Sequence, residues 1–337
     1  MMQRSIFFYA LLVCLGLLFA LNLGFGSASI GFGHSLKILL SGAGSETEQL
    51  IIFQSRLPKA ITAILCGAAL SVSGLLMQTL FRNPLAGPYI LGISSGAGLG
   101  VAFLIMGATV LGVSVSTGIS ISVAAIIGAV GILLILLWVS LRLNDVMSLL
   151  ILGVMIGAIA TAIIGMLQYF STDFELKAFL LWTMGSLEGL NYQEVSLVAG
   201  VCLLLILWAF VKSKPINAFL LGEDYAQSIG VSTLGLRITL ILISGGLAGV
   251  ITAFCGPIGF VGIVVPHLAR MLLKTTNHLK LIPACMLIGA SILLLSDLLS
   301  QIPGNGLLLP INSITSLIGI PIIIWIIFKK RKLSSGF

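Results

Sequence analysis

The chain has 337 residues, 58% of them hydrophobic and only 8% charged, with a mean hydropathy of +1.21 and a formal charge of +7. A soluble domain carries about 25% charged residues, so this chain cannot clothe a surface in water, and lipid is the solvent its composition calls for. Its apolar runs are continuous rather than alternating with period two, which argues for spanning helices of roughly 20 residues and against a barrel.

In chain order, the first apolar stretch, 7–25, is long for a secretory signal and is followed by many equally apolar segments, so it reads as a retained first span. Ten spans are predicted, over approximately 6–25, 58–80, 88–107, 115–140, 146–170, 192–211, 235–254, 259–273, 281–300 and 307–328. The eighth is short and glycine-rich. Residues 42–48 read as an exposed loop, and 174–187 as an amphipathic piece at an interface. The whole chain forms one transmembrane domain, 1–337. The five cysteines, Cys14, Cys66, Cys202, Cys255 and Cys285, sit in apolar runs without CxxC spacing and read as packing residues.

Orientation follows from the basic residues. With a cytoplasmic N-terminus and ten alternating spans, the inside receives Arg4, Arg82, Arg142, Lys212, Lys214, Arg237, Arg270, Lys274, Lys280, Lys329, Lys330, Arg331 and Lys332. The outside receives Lys37, Arg56, Lys59 and Lys177. Thirteen against four is the positive-inside bias of a membrane protein with both termini in the cytoplasm, and it accounts for the basic charge without nucleic acid.

Two stretches interrupt the helical pattern. Arg82-Asn83-Pro84-Leu85-Ala86-Gly87-Pro88 runs into Leu91-Gly92-Ile93-Ser94-Ser95-Gly96, and Cys255-Gly256-Pro257-Ile258-Gly259 runs into Val265-Pro266-His267. Each follows a small-residue pair in the preceding span, Ser73-Gly74 or Ser244-Gly245. Because spans 2 and 7 run in opposite directions, the pattern is that of an inverted repeat whose broken segments mark a transport path.

The chemistry that is missing narrows the function. No GxxxxGK[ST] phosphate loop, HExxH or Cys/His cluster occurs, so no cofactor is expected on this chain. Gly92-Ile93-Ser94-Ser95-Gly96 fits GxSxG, but a nucleophile elbow needs a strand before it, and close helix packing explains the small residues better. Apart from Glu194 at the very start of the span 192–211, Asp297 is the one acidic residue within a span, so the chain lacks the mid-span charges with which ion-coupled carriers bind their driving ion. An outside energy source is the natural inference; a self-sufficient carrier or channel and an intramembrane hydrolase using Ser94 or Ser95 are the rival classes.

A contact for that energy source is offered by 218–231, within the cytoplasmic loop at about 214–234. It reads as two short helical pieces broken at Gly222, suited to docking into a groove on a soluble partner or to resting on lipid headgroups. Arg56 and Lys59 stand at the outer end of span 2, either as snorkelling anchors or as charges that meet carboxylates on an external partner.

Arg56-Leu57-Pro58-Lys59, Gly67-Ala68-Ala69-Leu70, Ser73-Gly74, Gln78, Arg82-Asn83-Pro84-Leu85-Ala86, Trp182 with Gly185-Ser186, and Phe260-Val261-Gly262-Ile263-Val264-Val265-Pro266-His267 together resemble the FecCD/BtuC permease family. These are membrane subunits of ABC importers for ferric siderophores, haem and vitamin B12. The resemblance covers essentially the whole chain. It implies an all-α, ten-helix permease fold in the bacterial cytoplasmic membrane, paired with a second copy or a homologous permease. It also implies two cytoplasmic ATPase subunits, which hold the ATP and Mg, and an external solute-binding protein. On this resemblance Arg56 and Lys59 are docking residues for the binding protein. Leu220, Leu221, Gly222, Glu223, Asp224, Ala226, Ile229 and Gly230 contact the ATPase. Asn83, Pro84, Leu85, Ser94, Ser95, Asn144 and Asp145 line the gate or path. A ferric siderophore is the expected cargo. Three departures, Gln301 for a basic residue, Leu308 for a Glu and Asn312 for a Gly, fall near spans 9 and 10.

Overall fold

A computed structural model describes residues 2–25, 30–42, 44–107, 118–143, 145–303 and 307–334. The expected gate residue Asn144 lies outside the described residues. The helices are α1 (Met2–Gly24), α2 (Phe32–Ser41), α3 (Glu46–Leu50), a π-helical turn (Ile51–Arg56), α4 (Leu57–Leu80), α5 (Ile93–Ile105), α6 (Gly118–Arg142), α7 (Val146–Tyr169) and α8 (Asp173–Thr183). They continue as α9 (Tyr192–Val211), α10 (Ser213–Leu220), α11 (Glu223–Ser228), α12 (Thr233–Cys255), α13 (Val261–Leu273), α14 (His278–Ser300) and α15 (Ile311–Ser334).

Among the described residues seven helices are long and apolar enough to cross a membrane. Three shorter apolar helices, Ile93–Ile105, Val261–Leu273 and Ile311–Ile326, fall at the remaining predicted segments. The first two are short because the chain ahead of each is spent on turns. Segment 42–48 is corrected in part. Glu46–Leu50 is helical, opened by a capping box in which Ser45 Oγ accepts from Glu48 N and Glu48 returns to Ser45 N. The Ser45-x-x-Glu48 spacing carries that signal. Helix α2 has no counterpart among the predicted segments. The amphipathic piece is α8, opened by the same device at Thr172 and Glu175.

Helix α4 is the hub, packing against α12, α13 and α14. Small residues permit these crossings. A Cβ on Gly74 would lie 1.7 Å from Gly262 O, and one on Gly67 would lie 2.2 Å from Gly289 O. Backbones approach this closely only where neither helix carries a side chain at the crossing. The pairings repeat with inverted topology: α4 on α14 matches α12 on α6, and α5 on α6 matches α13 on α14. At the centre, Ser73 and Ser244 face each other from α4 and α12.

Backbone groups in the breaks find hydrogen-bond partners, as buried ones must. Asn83 Oδ1 accepts from Leu85 N (2.9 Å), and Gly92 N donates to Tyr89 O (2.9 Å). In the matching break, Ile258 N donates to Tyr89 Oη (3.2 Å) and Gly259 N to Asn312 Oδ1 (3.0 Å). Asn312, a departure from the family pattern, therefore caps the second break. The cysteines are free thiols, Cys14 exposed and the other four buried.

Candidate functional site

The two basic residues at the start of α4 have separate fates. Arg56, 6% exposed, donates from Nη1 to Leu23 O (3.0 Å), Gly24 O (3.2 Å) and Ser35 Oγ (3.3 Å). It closes the carbonyl end of α1, where a cation is favoured. Lys59, one helical turn on, lies between two carboxylates: Nζ is 2.9 Å from Glu188 Oε1 and 3.0 Å from Asp297 Oδ1. Asp297 is buried in α14 and also accepts from Gln301 Nε2 (3.0 Å). Gln301, the second departure, thus supports the cluster. Glu188 remains partly exposed and rims a cavity of about 290 Å³ lined also by Lys59, Met184, Asp297, Leu308 and Ile311. Leu308, the third departure, is an apolar wall of that cavity.

The loop after α8 is held by close backbone contacts. Gly185 (φ +72) lets Ser186 N donate to Cys255 O (2.8 Å) at the end of α12. The sequence singles out Lys59 and Asp297 separately but does not reveal that Lys59 joins Asp297 to Glu188.

Ser94 and Ser95 sit half-buried in the first turn of α5, where Gly92 (φ +77) turns the chain into the helix. Gly92 abuts Gly153 and Gly157 of α7, and Gly96 abuts Gly128 of α6. The small residues of this stretch thus serve packing. His267 lies elsewhere, lining an apolar cavity with Pro84, Leu85, Ile263, Val264 and Ile326.

The expected break at Gly222 is present. Gly222 adopts φ +131, ψ 149, a conformation that essentially only glycine holds, and it separates α10 from α11. Gly230 (φ +84) ends α11, and Val231 N folds back to Ala226 O (2.9 Å). Ala226 is buried inward, whereas Leu221 (70%), Tyr225 (47%) and Ile229 (54%) are exposed. Leu220, Glu223 and Gly222 are intermediate, and Asp224 is exposed.

The pair borders segments expected to form the gate. A cleft of about 650 Å³ is lined by Phe81, Arg82, Asp145, Met147 and Glu223 among others. Asp145 caps α7, accepting from Met147 N (3.1 Å) and Ser148 N (2.8 Å). Those bonds, the Ser148 N–H first, hold its carboxyl below the ordinary carboxylate value. Arg82 reaches Phe219 O (3.3 Å), and Arg237 reaches Leu143 O (2.8 Å) and Glu223 Oε2 (3.7 Å). The sequence marks Arg82 only as an inside charge that opens the first interrupted stretch and Arg237 only as an inside charge; Arg237 within an apolar helix is the available signal for its partners.

A helical membrane bundle with inverted pairing, two broken helices and a short helix pair at one face defines a transport subunit of the permease class. The chain belongs to the FecCD transport family, whose profile matches residues 13–329. It is similar to the vitamin B12 import system permease protein BtuC of Klebsiella pneumoniae, 39% identical over 84% of each chain. The BtuC of Salmonella arizonae is 38% identical over 86% of each. A solved structure described as an inward-facing ABC transporter of the metal-chelate type superposes with a TM-score of 0.84 at 30% identity, covering 96% of this chain and 99% of that one. The protein is a membrane-spanning permease of an ABC importer, and ATP hydrolysis falls to a separate ATPase.

Proposed function

We propose that this chain pairs with a second permease subunit, a copy or a homologue, to carry a ferric siderophore across the bacterial cytoplasmic membrane. Both termini face the cytoplasm. Two ATPase subunits dock on the α10–α11 pair, and an external binding protein delivers the chelate to the face that carries Arg56 and Lys59. There Lys59, held between Glu188 and Asp297, and Arg56, at the end of α1, shape the docking surface. Asn83, Pro84, Leu85, Ser94, Ser95 and Asp145 line the path or its inner gate.

The observation that carries the reading is the α10–Gly222–α11 pair. It presents Leu221, Tyr225 and Ile229 outward and borders the same cleft as Arg82 and Asp145. An exposed apolar ridge on short helices fits a groove on a soluble protein. The metal-chelate description of the structural relative supports an iron chelate as cargo. Cobalamin is the second reading, favoured by what the BtuC relatives import.

The test is uptake into proteoliposomes that hold the permease and its ATPase, with a ferric hydroxamate siderophore or cobalamin offered on the binding protein. ATP-dependent uptake of the siderophore, lost in Gly222→Ala, is the expected result. Uptake of cobalamin alone replaces the cargo, and uptake without ATP removes the importer reading.

A further inference from the structure

We infer that Arg82 and Arg237 are positioning residues that transmit displacement of the α10–α11 pair to the two loops at the inner end of the path. This rests on the importer reading above. Each arginine links one short helix to one loop. Arg82 belongs to the turn that follows α4, at φ +46, and its guanidinium lies 5.4 Å from the Phe219 ring centre while Nη2 donates to Phe219 O (3.3 Å). The turn holding Asn83, Pro84 and Leu85 is thereby tied to α10.

Arg237 performs the matching task from the first turns of α12. It is 4% exposed; Nη1 donates to Leu143 O (2.8 Å), and Nη2 stands 3.7 Å from Glu223 Oε2. The loop that leads to Asp145 is thereby tied to α11. A guanidinium fork can hold a carbonyl and a carboxylate at once in fixed directions, which a lysine ammonium on a flexible stem does not reproduce.

The opposite side of α10 is anchored. Asn217 Oδ1 accepts from His278 N (2.9 Å) and pairs with His278 Nδ1 (2.7 Å), and His278 Nε2 meets Thr79 Oγ1 of α4 (2.9 Å). With one side anchored to α14 and α4 and the other linked to both loops, a push on the ridge pulls on the loops through the arginines. Both loops face the cleft that Arg82, Asp145 and Glu223 line, so moving them changes its width.

The experiment counts cargo imported per ATP hydrolysed by the full reconstituted complex. The probe is a labelled ferric hydroxamate siderophore, or cobalamin if the wild type imports that instead. A purely structural role lowers import and hydrolysis together, so their ratio isolates coupling. The ratio is expected to fall about 5-fold or more in Arg82→Gln and Arg237→Gln, the scale of a typical coupling energy. Arg237→Lys should fail to restore it, and the partly exposed Glu223→Gln should lower it less. A wild-type ratio in Arg82→Gln and Arg237→Gln overturns the inference. Should Arg237→Gln not assemble, wild-type ratios in Arg82→Gln and Glu223→Gln overturn it equally. ATP-independent import by the unmodified complex is a different failure, that of the importer reading itself.

Discussion

Ser73 and Ser244 exchange hydrogen bonds where α4 crosses α12. Ser73 Oγ lies 2.9 Å from Ser244 O, Ser244 Oγ lies 3.1 Å from Ser73 O, and the two hydroxyls are 2.7 Å apart. The reciprocity places a local two-fold between the halves of the inverted repeat. Each serine removed strands a buried polar partner. Ser73→Ala and Ser244→Ala are each expected to cost about 1 kcal/mol. The double variant should cost less than the sum, because the second removal strands less. Thermal unfolding of the purified permease in detergent measures the cycle; strict additivity would mean that the exchange contributes nothing as a pair.

Gly74 and Gly131 should respond oppositely to the same change. A Cβ on Gly74 would stand 1.7 Å from Gly262 O, a backbone atom that cannot yield, whereas nothing lies within 4 Å of one on Gly131. Gly74→Ala is expected to cost roughly 3 kcal/mol or to abolish folding, in the manner of core overpacking. Gly131→Ala is expected to be neutral or stabilising by about 0.4–1 kcal/mol, since it lowers the entropy of the unfolded chain. Yield of folded permease, followed by size-exclusion chromatography, separates them.

Lys59 and Asp297 form a buried pair whose halves depend on each other. Lys59→Met leaves the Asp297 carboxyl, 3% exposed, without its cation. Breaking such a pair from one side costs about 3–5 kcal/mol, whereas replacing both partners by apolar groups is often near neutral. The double variant Lys59→Met/Asp297→Leu is therefore expected to recover most of the stability lost by Lys59→Met. If the double variant melts below Lys59→Met, the stranded Asp297 carboxyl is not what destabilises the single variant.

Asp145 gives a pH prediction whose sign follows from its lowered carboxyl. A depressed acid contributes stability that is complete above its unfolded value of 3.8 and is lost as pH falls through the lower folded value. The melting difference between wild type and Asp145→Ala should thus stay constant from about pH 5 to 8 and close only in stronger acid. A difference that changes near neutrality would assign the cap to another group.

The membrane class and most of the helix map were legible because they rest on local properties. A run of apolar residues must be helical in lipid wherever it packs, and Gly222 breaks its helix through its own backbone freedom. The breaks at 82–92 and 255–260 were legible for the same reason, from proline and glycine. Helix α2 escapes notice because it is short, opens at Gly31 and mixes polar with apolar residues. Its stability comes from packing on α1 rather than from its composition.

The site divides along the same line. Arg56 and Lys59 are three residues apart and look alike as basic residues at a helix end. Only the fold turns one toward α1 carbonyls and delivers Glu188 and Asp297 to the other. Arg82 reaches Phe219, and Arg237 reaches Leu143, across more than 90 positions of chain. Sequence alone determined that the chain is a helical membrane protein and where its helices break, since both depend on hydropathy and backbone freedom residue by residue; its role as a transport subunit rested on the family resemblance. The tertiary structure decided which charges meet, because Coulombic and hydrogen-bond energies depend on distances of a few ångströms between residues that the chain itself keeps far apart.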